Sequence, residues 1–308
     1  MLPSGKIKNL FERFGRPSSG ALIVCNHVAA HGDWAPICSL VARQGPCALG
    51  GVRFVVKDIA KWIPGFGWAM WLMNWPFLKR KWASDKNYLE RKLRSHNNAG
   101  TGAPLSMAIF PEGTCWTVKQ HARAVSFAKE RQLYLPTHTL CPRYKGFKAL
   151  VRGLSASGCA DTIWDVTLAY TGFNMKPGMK GPGPLQVLLH DAREGAPEVA
   201  FHIHVRRLDL TEVNAMDDVT LKKALFDWFE RKDGMIEEFL SGTKRFPGDV
   251  RLDSLPASQW IPSVLVTSAL AGVFVWSVWV MKKALWVLLF HSSGHEQFLD
   301  MFYSFRRY

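Results

Sequence analysis

The chain has 308 residues, 48% of them hydrophobic and 21% charged, which excludes a disordered protein and supplies enough apolar side chain for one large core. Six cysteines with no CxxC pair and no regular spacing exclude a disulfide scaffold and read as reduced, mostly buried residues of a cytosol-facing protein. A formal charge of +14 points to an anionic partner, and thirteen tryptophans favour a membrane over nucleic acid, because indole sits well between headgroups and hydrocarbon.

Residues 1–20 contain no continuous apolar run and are not a secretory signal. Ile7, Leu10, Phe11 and Phe14 alternate with Lys6, Lys8, Arg13 and Arg16, a weak amphipathic pattern that suits either a membrane surface or a solvated helix. From residue 21 short apolar runs predict strands over 21–25, 53–57, 105–110, 165–170 and 199–205. One helix is predicted to open at Ser84 and Asp85 with Tyr88, Leu89 and Leu93 on one side, and another to run roughly from His121 to Arg131. A long amphipathic helix carries Leu221, Leu225, Trp228, Phe229, Ile236 and Leu240 and stops at Gly242. This alternation predicts an α/β domain over 21–250, with a mixed, mostly parallel sheet flanked by helices. No internal repeat or low-complexity tract is visible.

Residues 175–184, rich in Gly and Pro, read as an irregular loop, and 251–259 as a linker. Trp260 to Met281 contains no charged residue and is long enough to cross a hydrocarbon core of about 30 Å as a helix. Trp260, Trp276 and Trp279 suit its two interfaces, and Lys282 and Lys283 close it. Ala284–Phe290 is too short to span alone and either lies in the interface or completes a tight hairpin. The membrane segment therefore covers 260–290, with 291–308 as a tail. The chain reads as an integral membrane protein, and basic residues on both sides of the segment leave its orientation open.

Three stretches carry chemistry. In CNHVAAHGDW, Cys25 to Trp34, a histidine and an aspartate follow an apolar strand, where open α/β sheets place their sites. A neutral imidazole can take a proton from a hydroxyl, while a carboxylate on its other nitrogen fixes the tautomer. His31 is also nearby, either as the partner in that pairing or as a bystander. In IFPEGT, Ile109 to Thr114, a strand ends in a tight turn whose glycine lets backbone N–H groups approach a ligand and whose hydroxyl suits a phosphate; an ordinary turn reads the same way. The block from Val56 to Trp82 interleaves Trp62, Trp68, Trp71, Trp75 and Trp82 with Lys57, Lys61, Lys79, Arg80 and Lys81. It suits contact with lipid and anionic headgroups, although core packing would account for about half of its aromatics. His202 and His204 share a strand face without a third metal ligand. Cys115 has no His or Asn constellation around it. No nucleic-acid module is visible.

The order of NH…D, a basic W-P-G-W block ending in FLKR, FPEGT, and LCPR at Leu140–Arg143 resembles the glycerolipid acyltransferases. More narrowly, it is similar to the branch of lysocardiolipin acyltransferase and 1-acylglycerol-3-phosphate acyltransferase epsilon. RFVVKDIAKWIPGFGWAM, FLKRKWASDK, IWDVTLAYTG and FHIHVRRLD carry the likeness in the same order, over roughly 22–248. The resemblance makes 21–250 the acyltransferase domain. It implies His27 as general base, Asp33 as its orienter and Arg80 as a ligand of the acceptor phosphate. Phe110, Pro111, Glu112, Gly113 and Thr114 would shape the glycerol-phosphate site, with Pro142 and Arg143 on the acyl-CoA side. Donors near the Gly113 turn are candidates to steady an oxyanion.

There are departures from the family pattern. Five residues separate His27 from Asp33 where the family has four, and one extra residue turns a helical Asp by about 100°. The pair then meets only through an irregular turn, for which Gly32 is suited. Cys115 stands where many members have Arg. The first motif arrives as early as Asn26, as in an N-terminally truncated chain.

The implied activity is transfer of a fatty acyl group from acyl-CoA to the free hydroxyl of 1-acylglycerol-3-phosphate, giving phosphatidic acid. Lysocardiolipin and lysophosphatidylinositol are alternative acceptors, and a catalytically inactive lipid-binding protein is the alternative of another class. The implied partners are acyl-CoA as co-substrate, a lysophospholipid and a phospholipid bilayer, with no metal, no cofactor and no nucleic acid. The implied location is the endoplasmic reticulum membrane, with the mitochondrial outer membrane as the alternative.

Overall fold

The computed structural model describes residues 20–28, 32–44, 48–63, 65–97, 104–172, 200–242, 244–247 and 283. By its internal contacts the chain divides into Met1–Leu255 and Pro256–Tyr308, and every described residue except Lys283 belongs to the first unit. The surface segment expected at 1–20 (Gly20 apart), the loop at 175–184, the linker at 251–259, the membrane segment at 260–290 (Lys283 apart) and the tail at 291–308 lie outside the described residues. Among the described residues no helix is long and apolar enough to cross a membrane.

The strands are β1 (Gly20–Cys25), β2 (Val52–Phe54), β3 (Val56–Lys57), β4 (Phe77–Leu78), β5 (Leu105–Ile109), β6 (Thr162–Thr171) and β7 (Ala200–Asp209). The helices are α1 (Trp34–Ala42), α2 (Phe66–Leu72), α3 (Trp82–Asn97), α4 (Val118–Glu130), α5 (Tyr144–Ser157), α6 (Leu210–Ala215) and α7 (Asp218–Ser241), with 3₁₀ turns at Ala48–Gly51 and Asp58–Trp62. The main sheet runs β2-β5-β1-β6-β7, while β3 and β4 pair separately. Its first four strands are parallel, and β7 runs antiparallel to β6 from Thr162 opposite Asp209 to Thr171 opposite Ala200. This is the mostly parallel α/β sheet that the strand–helix alternation predicts.

One expected strand, 53–57, is in fact two. The Val55 N–H still bonds to Ala108 in the main sheet, but the Val56 N–H bonds to Pro76, so the chain passes from one sheet to the other within a residue. Helices α1, α2, α5 and α6 are additions to the sequence reading. In α5 Gly146 and Gly153 weaken the helical signal by roughly 1 kcal/mol each. Tertiary burial overrides them: Phe147, Leu150, Val151 and Leu154 form one stripe and are all fully buried.

All six residues of β1 are buried, as a central parallel strand covered on both faces must be. Leu22 and Val24 face a core built with α3, α5, α6 and α7. Ala21, Ile23 and Cys25 face the opposite core, with Ile37, Leu40 and Val41 of α1 and Trp164, Val166 and Leu168 of β6.

A buried ion cluster fastens α7 to this sheet. Asp165 of β6, fully buried, pairs with Arg206 of β7 at 3.0 Å and with Arg231 and Lys232 of α7. Lys232 is also fully buried and donates to the carbonyls of Val24 and Val166. Burial alone would push the Asp165 carboxyl upward, but Lys232, Arg231 and Arg206 outweigh it and hold the group below its usual value. A carboxylate depressed in the fold adds stability that is complete above its unfolded pKa, near roughly 3.9, and that is lost as pH falls through the lower folded value. Asp165→Asn leaves three cations facing one another and should destabilise by about 3–5 kcal/mol in denaturant unfolding at neutral pH. The gap between wild type and variant should narrow as the pH is lowered below about 4.

Candidate active site

β1 and β5 are neighbouring parallel strands with Val24 beside Ile109, so the residues after them leave at one edge of the sheet, the edge where open α/β sheets hold ligands. β1 delivers Asn26 and His27, and β5 delivers Phe110 to Thr114. The Asn26 side chain donates to the Leu168 carbonyl at 3.0 Å and accepts the Leu168 N–H at 2.8 Å, fixing the end of β1 to β6.

The His27 Nδ1 lies 2.7 Å from the Asp33 Oδ2. The extra residue between them does not separate the pair, because Asp33 stands before the first residue of α1 and not within the helix, so the helical rotation does not apply. Its carboxylate does not cap α1. Instead its Oδ1 accepts the hydroxyl of Tyr170 at 2.8 Å. A carboxylate at Nδ1 selects the Nδ1–H tautomer and leaves a lone pair on Nε2, as a general base requires. Phe110 stacks on the imidazole with centroids 4.5 Å apart, which fixes the ring plane. His31, the other candidate base, lies outside the described residues.

Glu112 is buried, and both its oxygens are engaged by backbone: Oε1 accepts the His27 N–H at 2.9 Å and Oε2 the Leu140 N–H at 3.2 Å. Burial pushes its carboxyl well up, and those two N–H groups together with the Lys232 ammonium work against that. The Arg143 N–H bonds to the Pro111 carbonyl at 2.8 Å, so the FPEGT turn and the LCPR block are one assembly. Gly113 adopts φ +70, and a Cβ there would lie 3.0 Å from Cδ and Nε of Arg143. Its N–H is committed to Phe110 at 2.9 Å, so it is no free oxyanion donor.

Arg80, Phe110, Pro111, Glu112, Thr114, Pro142 and Arg143 all line one cavity of about 680 Å³. Gly113 lies beneath Arg143, and the His27–Asp33 pair adjoins the cavity through Phe110. Apolar Val55, Leu78, Leu89 and Ile109 also line it, as do the basic Arg123, Lys145 and Lys222. Arg80 and Arg143 line this cavity and form a cationic corner with Lys57, which is not among the lining residues: burial and then Arg80 and Arg143 lower the pKa of Lys57, and burial and then Arg143 lower that of Arg80. Among the described residues no ion pair involves these three. Arg80 itself has φ +64, an uncommon backbone for a residue with a side chain, and the next turn is anchored by the Lys79 N–H on Asp85. Cations with no ion pair among the described residues, one of them on an uncommon backbone, are chemically suited to an anion.

Several residues of this assembly were not foreseen. Tyr170 and Asn26 carry no local signal, since their partners are 137 and 142 residues away. Asp233 of α7 accepts the N–H groups of Thr137, His138 and Thr139 and the Thr139 hydroxyl, fixing the loop that offers Leu140 to Glu112. Lys232 had a signal: it interrupts the apolar stripe of Phe229, Ile236 and Phe239. His202 instead meets Thr171 and Phe239, and among the described residues no group of three potential metal ligands occurs. The five described cysteines are free.

A model of the acyltransferase family matches residues 7–170, just over half of the chain. The chain belongs to the acyltransferase family. This acyltransferase is 31% identical over 274 residues to mouse (Mus musculus) 1-acyl-sn-glycerol-3-phosphate acyltransferase epsilon, covering 86% of the chain and 72% of the relative. It is 30% identical to 1-acyl-sn-glycerol-3-phosphate acyltransferase 2 of Brassica oleracea, over 77% of the chain and 55% of the relative. It is also 30% identical to lysocardiolipin acyltransferase 1 of Gallus gallus, over 75% and 56%. The chain thus spans little more than half the length of the last two. No solved structure matches it.

Tyr170→Phe removes a donor from a buried carboxylate, a bond worth about 1.5–3 kcal/mol. In the acyltransferase reaction the variant should lose roughly tenfold in kcat at unchanged KM, since Tyr170 steadies Asp33 without touching substrate. An unchanged kcat would show that Asp33 needs no second donor.

Proposed function

We propose that the protein transfers a fatty acyl group from acyl-CoA to the free hydroxyl of a lysophospholipid in a bilayer, with 1-acylglycerol-3-phosphate as acceptor and phosphatidic acid as product. The observation that carries this reading is the His27–Asp33 pair at 2.7 Å beside a cavity lined by Arg80 and Arg143, which make no ion pair among the described residues. Three of the relatives named above are lipid acyltransferases by name, two of them for 1-acyl-sn-glycerol-3-phosphate.

In the proposed reaction the cationic corner holds the acceptor's phosphate, Arg80 through its guanidinium fork. The His27 Nε2 takes the proton of the acceptor hydroxyl as its oxygen attacks the thioester carbonyl carbon. The C–S bond then breaks, and the CoA thiolate leaves and recovers the proton from the imidazolium. Asp33 stabilises that imidazolium, and Tyr170 keeps Asp33 in place. The apolar wall from Val55 to Ile109 suits an acyl chain. The chemistry calls on no group beyond acyl-CoA. The proposed setting is the endoplasmic reticulum membrane, with the mitochondrial outer membrane as the alternative. A lysocardiolipin acceptor is the second reading, favoured by Arg123, Lys145 and Lys222 on the same cavity, which offer cations for a second phosphate.

CoA release in liposomes given oleoyl-CoA and lysophosphatidic acid tests the proposal. His27→Ala should lower the rate by roughly 10²–10⁴-fold, the contribution expected of a general base. Arg80→Ala should raise the acceptor KM well before it changes the KM for acyl-CoA. No turnover of the wild type with any lysophospholipid would favour the non-catalytic lipid-binding alternative. Turnover that survives His27→Ala would assign the base elsewhere.

A further inference from the structure

The stretch between β3 and β4 is built as a protruding knob. Its 3₁₀ turn, Asp58–Trp62, buries none of its residues, and α2 packs back against it. Gly67 sits at the junction, where a Cβ would lie 2.4 Å from the Ala60 carbonyl oxygen and 2.5 Å from that of Lys61. Residues three apart eclipse in a 3₁₀ turn, so Ile59 and Trp62 share a side; residues three and four apart share a helix face, so Trp68, Trp71 and Leu72 do too. Ile59 is 74% exposed, Trp62 72%, Trp71 63% and Leu72 75%, while Met70, on the opposite side of α2, is buried.

The knob is anchored at its base. Trp75 packs against Phe54 with ring centroids 5.1 Å apart, and Asn74 bonds to Ser95 and Lys92 of α3. An apolar surface held outward by a fixed scaffold marks an interaction site. Its composition selects the partner. Lys57, Lys61, Lys79, Arg80 and Lys81 border it, and the lone acid of the stretch, Asp58, is already paired with Lys61 at 2.8 Å. Tryptophans rimmed by lysines match the headgroup region of an anionic leaflet, with apolar tips below and phosphates alongside.

We infer that this knob is the protein's bilayer-docking surface, seated in the interfacial layer of an anionic phospholipid leaflet. The inference rests on the proposed lipid acceptor for its purpose. Lys57 precedes the knob and Arg80 follows it; Arg80 lines the cavity, and Lys57 pairs with Leu78, which lines it too. Docking therefore brings the phosphate site to the headgroup plane, and the acceptor enters from the leaflet without crossing water.

The test uses the full chain and its Trp62→Ser, Trp68→Ser, Trp71→Ser triple variant, with two acceptors: long-chain lysophosphatidate in vesicles containing phosphatidic acid, and a short-chain, water-soluble lysophosphatidate. The variant should lose roughly tenfold or more of its activity on vesicles and keep that on the soluble acceptor, because binding strength follows the buried apolar area. Tryptophan emission should fall in brominated vesicles, and by less in the variant. Equal loss on both acceptors, equal quenching of both proteins, or cross-links that seat the knob against a second copy or against residues 260–290 would overturn the inference. A wild type inactive on both acceptors counts against the proposed reaction, and the quenching comparison then decides docking alone.

Discussion

The buried carboxylate of Glu112 is the constraint on which the rest of the site depends. One oxygen holds the backbone of His27 at the end of β1, and the other holds Leu140 in the loop that leads into α5. Two segments 113 residues apart are thereby brought to one point, at the sheet edge where β5 ends. The cost is desolvation of a carboxylate, and two N–H donors with a buried ammonium nearby offset part of it. Without that bridge the backbone of the base would lose one of its anchors, leaving Asn26 beside it, and the Pro142–Arg143 block would be tied to the facing motif through the Arg143 N–H on Pro111.

The bridge is only as firm as its abutments, and α7 supplies both. Lys232 reaches through the core to the carbonyl of Val24, two residues before Asn26, while its neighbour Asp233 gathers three backbone N–H groups of the 137–139 loop. Consecutive residues of one helix thus hold both ends of the bridge, cation to strand and anion to loop. A buried lysine is tolerable because Asp165 lies against it, and Asp165 is tolerable because Arg206 and Arg231 share its charge. The active-site edge is therefore tied down by buried charges held against one another as well as by the apolar packing on both faces of β1.

The sheet was legible in the sequence where its physics is local. A central parallel strand must be apolar on both faces, which is why Ala21–Cys25 and Leu105–Ile109 stand out as continuous runs. The strand at 53–57 was misread, since a switch between sheets at Val55 leaves no trace in side-chain pattern. The His27–Asp33 pair was legible by residue type, yet its spacing suggested a misfit that disappears because Asp33 precedes α1. Tyr170 was invisible: a hydroxyl in an apolar strand says nothing of a carboxylate 137 residues earlier. For the Val56–Trp82 block, an apolar run with no polar face does not reveal its helix phase. Only the fold separates Trp75, which packs inward on Phe54, from Trp62 and Trp71, which are mostly exposed, and Trp68, which is about half exposed.

The cationic corner and the knob follow from one placement. A protein that gathers Lys57, Arg80 and Arg143 with no ion pair to any of them among the described residues sacrifices stability at that spot, and burial of Lys57 and Arg80 deepens the loss by weakening their solvation. The arrangement is favourable overall only when an anion arrives. Lipid phosphates are such anions, and they are held at a surface, not free in solution. The strand pair β3–β4 solves both parts at once: it carries Lys57 and Arg80 at its ends and the tryptophan knob between them. Wherever the apolar tip settles in a leaflet, the two cations are fixed at its borders, at the depth where phosphates lie. On the proposed reading, substrate capture and membrane attachment are two consequences of a single short excursion of the chain, and a change that shortened or reoriented that excursion would disturb both together.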